Sequence, residues 1–403
     1  MTHPYRGLPS HQFWNTGVAQ SSPGGLDPMT NPKFLIGPSD KVATMGSCFA
    51  QHISRHLMRR GLSYFVTEEG DDSMKPDEAL ARNFGVFSAR YGNVYTVRQA
   101  VQLFDRAFGR FLPSENAWKT EGGFVDPFRP QIEPKPFASE EMVAGSRVEH
   151  LAAVRRLFSE ADVLVFTLGL TETFMSRVDG SVFPVAPGVS GGSFDPNSYE
   201  FVNFTVSEVI NDLRSFVHKV REVNAKVRFI LTVSPVPLIA TYEPRHVLVS
   251  TTISKSILRV AAHEISSTHD FVEYFPSYEI ISGSALGARY FDTDLRQVRQ
   301  VGVDHVMRIF ERHMLGLENS TEAPVLDQRP SATGGNVVCD EETIMKAIEA
   351  SEITPTARTT SGGSLLETTA PAPRRAPSIQ DAPRSLWRRT KTVVARLSRR
   401  NRP

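Results

Sequence analysis

The run Lys41-Val42-Ala43-Thr44-Met45-Gly46-Ser47-Cys48-Phe49-Ala50 carries the residue types that acyl transfer needs, in a workable order. Residues 42–45 form a mostly apolar run fit for a buried strand, Gly-Ser follows, and residues 50–60 have helical patterning. A strand that turns straight into a helix places the Ser47 hydroxyl at the carboxyl edge of a sheet, where open α/β folds bind ligands. Gly46 permits close approach, and the first N–H groups of the helix face any oxyanion that forms there. The same pattern also describes an ordinary N-cap serine. Cys48 is a second nucleophile by chemistry, because thiolates form more readily than alkoxides. Beside Phe49 it reads equally well as a small buried hydrophobe.

A serine nucleophile needs a proton acceptor, and imidazole is the usual one. His305, in Gly302-Val-Asp-His305-Val-Met307, is one candidate; His150 and His246, in or after loops, are others. His52 and His56 stand four apart, the spacing of a helical metal pair, with no third ligand near them in sequence. Solvated helix positions are the plainer reading of that pair. Asp126 and Arg129, in Asp-Pro-Phe-Arg, and Glu172 fall in loops or at a strand end, where charged groups line polar pockets. Arg129 can grip a carboxylate with two N–H groups, or simply pair with Asp126.

Short aliphatic runs alternating with longer amphipathic ones position these residues. Strands are expected at residues 42–45, 62–66, 163–168, 227–233 and 271–275. Helices are expected at 50–60, 97–110, 147–159, 206–223, 252–266 and 298–315. Val303, Met307, Phe310 and Met314 mark a buried stripe on the last of these. The alternation predicts βα units around a mostly parallel sheet. Residues 181–204 and 122–136, rich in Gly and Pro, read as irregular surface loops.

The chain divides by composition into an N-terminal extension (1–30), an α/β domain (31–318), a short helical extension (319–352), a low-complexity linker (353–384) and a basic amphipathic tail (385–403). Lys and Arg total 45 against 44 Asp and Glu, so no global field draws the molecule to nucleic acid, which is not an expected partner. Residues 374–403 hold ten Lys or Arg and one acid, Asp381, and could touch an anionic membrane or a protein weakly. Two cysteines cannot build a disulfide framework or a four-sulfur zinc site. No apolar run reaches the roughly 18 residues of a membrane span, and no signal-peptide core is visible. A cytoplasmic location, with membrane association only through the tail, is the expectation.

Gly46-Ser47-Cys48-Phe49-Ala50 is the string for which the GSCFA family is named. Phe166-Thr-Leu-Gly-Leu-Thr-Glu172, Thr232-Val-Ser-Pro-Val236 and Tyr274-Phe-Pro-Ser-Tyr-Glu279 also resemble GSCFA segments. The likeness covers about residues 30–315, and that family resembles in turn the SGNH (GDSL-like) esterases and acyltransferases. It implies a flavodoxin-like three-layer α/β/α sandwich with a mostly parallel sheet, followed here by a disordered C-terminal tail. Ser47 then stands as nucleophile, with its own N–H and residues 169–171 as oxyanion donors; Thr171 occupies the place of the usual Asn. Gly92 and Asn93 are further donors, and Glu172, Asp126 and Arg129 line the pocket.

Asp294-Leu-Arg-Gln297 matches the Asp-x-x-His block of the SGNH enzymes, with Gln297 in the place of the histidine. An amide takes no proton at neutral pH, so either His305, oriented by Asp294, serves as base, or the chain has kept a pocket and lost its chemistry. The first alternative implies cleavage or transfer of an acyl ester, such as O-acetyl on a carbohydrate, without metal or cofactor. The second implies a catalytically silent glycan-binding or polysaccharide-assembly protein.

Overall fold

The computed structural model describes residues 3–284, 287–317 and 339–352. The chain partitions into a compact unit, Met1–Ile353, and a second, Thr354–Pro403, which lies outside the described residues together with the expected linker and basic tail.

In chain order the elements are β1 (Val42–Gly46), α1 (Ala50–Arg59), α2 (Pro76–Ala81), α3 (Val97–Ala107), β2 (Trp118–Thr120), β3 (Gly123–Val125), α4 (Glu140–Glu160), β4 (Val163–Leu168), β5 (Glu172–Ser176), β6 (Val182–Phe183), β7 (Tyr199–Asn203), α5 (Val206–Val223), β8 (Arg228–Val233), α6 (Val247–Thr268), β9 (Val272–Tyr274), α7 (Ser277–Ser282), α8 (Gln300–Met314) and α9 (Glu342–Glu352). The central sheet is parallel throughout, in the order β1-β4-β8-β9. Tyr64 adds a single parallel bridge to Val42 on the outer side of β1, where residues 62–66 were expected to form a full strand. Counting that bridge, the strand order is 2-1-3-4-5, the flavodoxin-like one, whose ligand crevice lies between β1 and β4.

Both faces of the sheet are covered, so its strands are apolar almost throughout. Every residue of β1 and of β4 is buried. Ala43, Met45, Leu164, Phe166 and Phe229 pack under α3, α4, α5 and α6. Val42, Val163, Val165 and Ile230 pack under α1, α7 and α8, where the stripe of Val303, Met307, Phe310 and Met314 falls as its spacing predicts. The result is three layers. Capping boxes start α3 (Thr96 with Gln99) and α5 (Thr205 with Glu208), satisfying N–H groups that the first turn leaves unpaired.

Two regions differ from the sequence reading. Residues 181–204 contribute β6 and β7 to an antiparallel sheet with β5, and residues 118–125 make the hairpin β2-β3. The cross-strand pair Phe174–Phe201 within one sheet and the contact of Trp118 with Phe183 between the two sheets hold strands too short to show a period. The compact unit also runs past residue 318: α9 forms, and Cys339, Asp340 and Glu341 just before it are buried.

Candidate active site

Gly46 ends β1 at φ +124°, and a Cβ there would lie 2.1 Å from the Thr167 carbonyl oxygen on β4. Only glycine fits that approach. The next residue, Ser47, is therefore delivered to the β1/β4 crevice, as the strand-turn-helix pattern predicts. Gly169, just beyond β4, closes the other side: a Cβ on it would lie 3.1 Å from Ser47 Cβ and 2.9 Å from the Tyr95 carbonyl. Ser47 is 3% exposed, and among the described residues its Oγ has no hydrogen-bond partner. A buried hydroxyl left unpaired costs about 1–3 kcal/mol, so something other than stability explains it.

The expected oxyanion donors are committed elsewhere. The Ser47 N–H donates to the Thr167 carbonyl (3.0 Å), and the Gly169 and Leu170 N–H groups both donate to the Tyr95 carbonyl (3.2 and 2.8 Å). Thr171 donates its N–H to Ser254 Oγ (3.1 Å) and its hydroxyl to Asn203 Oδ1 (2.7 Å). These bonds tie the loops at the sheet edge together, which no one-dimensional pattern announces. Asn93 is different. Gly92, at φ +71°, makes the turn that presents it, and its amide and backbone N–H groups both point at a carboxylate, that of Asp340 (Nδ2 to Oδ2, 2.9 Å).

The His305 expectation does not fit the geometry. His305 sits on α8 under the opposite face of the sheet, fully buried, with Nδ1 against the Tyr290 hydroxyl (2.6 Å) and Nε2 against the Leu26 carbonyl (2.8 Å). Both ring nitrogens are spent, and neither reaches Ser47. Asp294 orients no imidazole either: its Oδ1 accepts the N–H groups of Arg296 and Gln297 (2.9 Å each), and Leu295 takes φ +53° in that turn. The turn delivers Arg296 to the site instead of residue 297. None of the other named histidines reaches the hydroxyl. His150 Nδ1 faces Glu68 (2.7 Å), His246 caps α6, and His56 Nε2 faces Glu311 (2.6 Å), while His52, on the same face of α1, lies beside Arg55 and Arg59.

Asp126 and Arg129 pair with each other (3.0 Å), the alternative their spacing left open, and Arg147 completes the cluster at 3.0 Å. Glu172 accepts the Thr241 hydroxyl (2.8 Å), and burial raises its pKa. Cys48 is buried against Cys339, and that thiol contact, with burial, drives its pKa well above the ordinary thiol value.

Three groups around Ser47 escaped the sequence reading. Lys255, on α6, is 1% exposed and donates from Nζ to the Gly169 carbonyl (2.8 Å). Burial pushes its pKa down to about 8, against the opposing pull of Glu341. Its signal was a lysine on the stripe that continues as Leu258, Ala261, Ala262 and Ile265. Arg296 reaches Glu341 Oε2 (2.6 Å), and its Nε is buried and unpaired. The third is the Cys339-Asp340-Glu341 segment itself.

The open parallel sheet, of flavodoxin-like order, defines an α/β protein, and Ser47 at its switch point, near a lysine, an arginine and an asparagine amide, is its candidate site. The GSCFA family model matches residues 41–310, more than half the chain, and the protein belongs to the GSCFA family. No curated protein matches it significantly. Among the described residues, no helix is long and apolar enough to cross a membrane.

Proposed function

We propose that Ser47 is the nucleophile of an SGNH-like acyl transfer, cleaving or transferring an acyl ester such as O-acetyl on a carbohydrate. One observation carries this reading: among the described residues the Ser47 hydroxyl is left unpaired at the switch point, while the N–H groups of Ser47, Gly169, Leu170 and Thr171 are all bonded. With no imidazole on Ser47, Lys255 takes the role of base, a Ser–Lys arrangement known from other folds. A lysine with its pKa lowered to about 8 holds a useful fraction of neutral amine near neutral pH. Neutral Lys255 takes the Ser47 proton, directly or through one water, as Oγ bonds to the acyl carbon. The two Asn93 N–H groups receive the oxyanion. Collapse breaks the bond to the alcohol, which leaves with the proton from Lys255, and water or an acceptor hydroxyl then repeats the sequence on the acyl-serine.

The competing reading, a silent glycan-binding or polysaccharide-assembly protein, is favoured by Gln297 and by the missing imidazole. Fluorophosphonate labelling of the full chain separates the two. Labelling that Ser47→Ala abolishes and Lys255→Met slows by about a hundredfold or more is expected, by the usual size of a general-base contribution. No labelling and no turnover of acetyl esters, in wild type and in the Glu341→Lys variant described below, would leave only the binder.

A further inference from the structure

The segment before α9 sits on the groups just given catalytic and binding roles. Asp340 places its carboxylate on both N–H groups of Asn93, donates its own N–H to the Tyr95 hydroxyl (3.1 Å), and accepts Gln131 Nε2 at its carbonyl (3.3 Å). Glu341 places its carboxylate on Arg296 (2.6 Å) and on the Ile239 N–H, with Lys255 as a second nearby cation. Cys339 Sγ lies 3.8 Å from the Tyr95 hydroxyl, 3.7 Å from Arg296 Nη2, and against Cys48. The three residues are 4–8% exposed, whereas α9 behind them leaves Met345 and Ile348 exposed. The tripeptide, more than the helix, holds this piece of chain in place.

A segment that served only to close the fold would satisfy the groups it covers. This one grips Arg296 yet leaves its Nε buried and, among the described residues, without a partner, as is Ser47 Oγ. The crevice therefore offers more polar contacts than the segment uses.

We propose that Cys339-Asp340-Glu341 is an internal competitor occupying the ligand's place, with the Asp340 carboxylate where the oxyanion forms and the Glu341 carboxylate where a carboxylate on the true ligand is gripped by Arg296. The ligand is thus an acidic one, and the segment must leave before it binds. The words "oxyanion" and "substrate" rest on the proposed function; the occupancy does not.

The two native thiols provide a readout on the full chain. Diamide oxidises a docked Cys48–Cys339 pair to a disulfide, the two thiols giving up two protons and two electrons as the diazene becomes a hydrazine. Cross-linking is read as the loss of two hydrogens in the peptide map. Glu341→Lys sets a third cation against Arg296 and Lys255 and should slow cross-linking at least tenfold while raising fluorophosphonate labelling at least tenfold. Glu341→Gln, which keeps the shape and sheds a charge that burial disfavours, should instead hold the segment at least as firmly, with cross-linking no slower and labelling no higher than in the wild type. Millimolar succinate should slow cross-linking of the wild type, and succinamide at equal ionic strength should not.

Equal cross-linking rates in wild type and both variants would overturn the occupancy, as would succinamide acting like succinate or neither acting. Slower cross-linking with no labelling in any form would leave the occupancy standing and remove the nucleophile. Unchanged cross-linking with Ser47-dependent labelling would do the reverse.

Discussion

Asp126 and Asp340 are almost equally buried, 1% and 4% exposed, and their surroundings act on them in opposite senses. Burial alone would raise the pKa of both, since it disfavours the charged form. Around Asp126 three guanidiniums, Arg129, Arg147 and Arg106, outweigh that penalty and hold the carboxyl far below its ordinary range. Glu68, in the same region, is brought down to about 2 against burial by His150, Arg129 and the Arg90 N–H. Around Asp340 only the Asn93 donors help, Glu341 opposes, and the pKa is pushed up to about 6. Glu341 is raised as well, by burial that Arg296 and Lys255 only partly offset. An over-compensated acid is a permanent part of the fold. An under-compensated one holds its place only while its contacts win against water, as expected of a segment that exchanges with a ligand.

The largest break in that comparison comes from Asp126→Asn. Removing the anion leaves the buried guanidiniums of Arg129 and Arg106 and the half-buried one of Arg147 facing one another, and breaking a buried pair from one side costs about 3–5 kcal/mol. Thermal unfolding should show a fall of many degrees. Asp340→Asn should leave the melting temperature nearly unchanged and slow release of the segment, because it removes an ill-compensated charge and keeps an acceptor for Asn93. If the two substitutions cost the same, the electrostatic distinction between the clusters is wrong.

Acidity sharpens the same contrast with opposite signs. Asp340 has a folded pKa raised to about 6 from 3.8, so its contribution to docking is complete below about pH 4 and is lost as pH rises through 6. A shift of about two units corresponds to about 3 kcal/mol. Glu341, raised as well, acts in the same direction. Glu68 has a lowered folded pKa; its contribution is present above about pH 4.5 and is lost as pH falls toward 2. Hydrogen exchange, corrected for intrinsic rates, should therefore show residues 339–352 more protected at pH 5 than at pH 7.5, with the Asp126–Glu68 region equal at both. Below pH 4 that region should loosen while the segment stays protected. Parallel loosening of both on acidification would contradict the raised Asp340 pKa.

The same physics explains what could be read from the chain beforehand. The sheet was legible because both its faces are buried, so β1, β4 and β8 are mostly apolar runs, and Gly46-Ser47 marks the turn between strand and helix. The Asp126–Arg129 pair was legible as one of two options because its partners lie three residues apart. Tyr95 was not, because its carbonyl meets Gly169 and Leu170 more than seventy positions away, and that meeting removes the donors the motif seemed to offer. His305 looked suitable through its nearness in sequence to Gln297, yet one helix carried it under the other face of the sheet. Lys255 and the 339–341 segment contact the site only through tertiary packing, and the composition of residues 319–352 gave no hint that Cys339, Asp340 and Glu341 are buried.

The smallest predicted effect concerns Ser47 itself and tests whether its unpaired hydroxyl belongs with the strained acids or with the settled ones. A structural serine in a crevice this tight would lose a hydrogen bond on mutation to alanine, at a cost of about 1 kcal/mol. Ser47 has no such bond to lose. Ser47→Ala removes a buried polar atom without opening a cavity larger than one oxygen, so stability should stay level or rise by about 1 kcal/mol in urea unfolding while fluorophosphonate labelling disappears. Gain or parity in stability with loss of reactivity is the pattern of a residue retained for chemistry at the fold's expense. A clear loss of stability would instead place the hydroxyl in a bond that holds β1 to β4, and Gly46 alone would then account for the geometry of the turn.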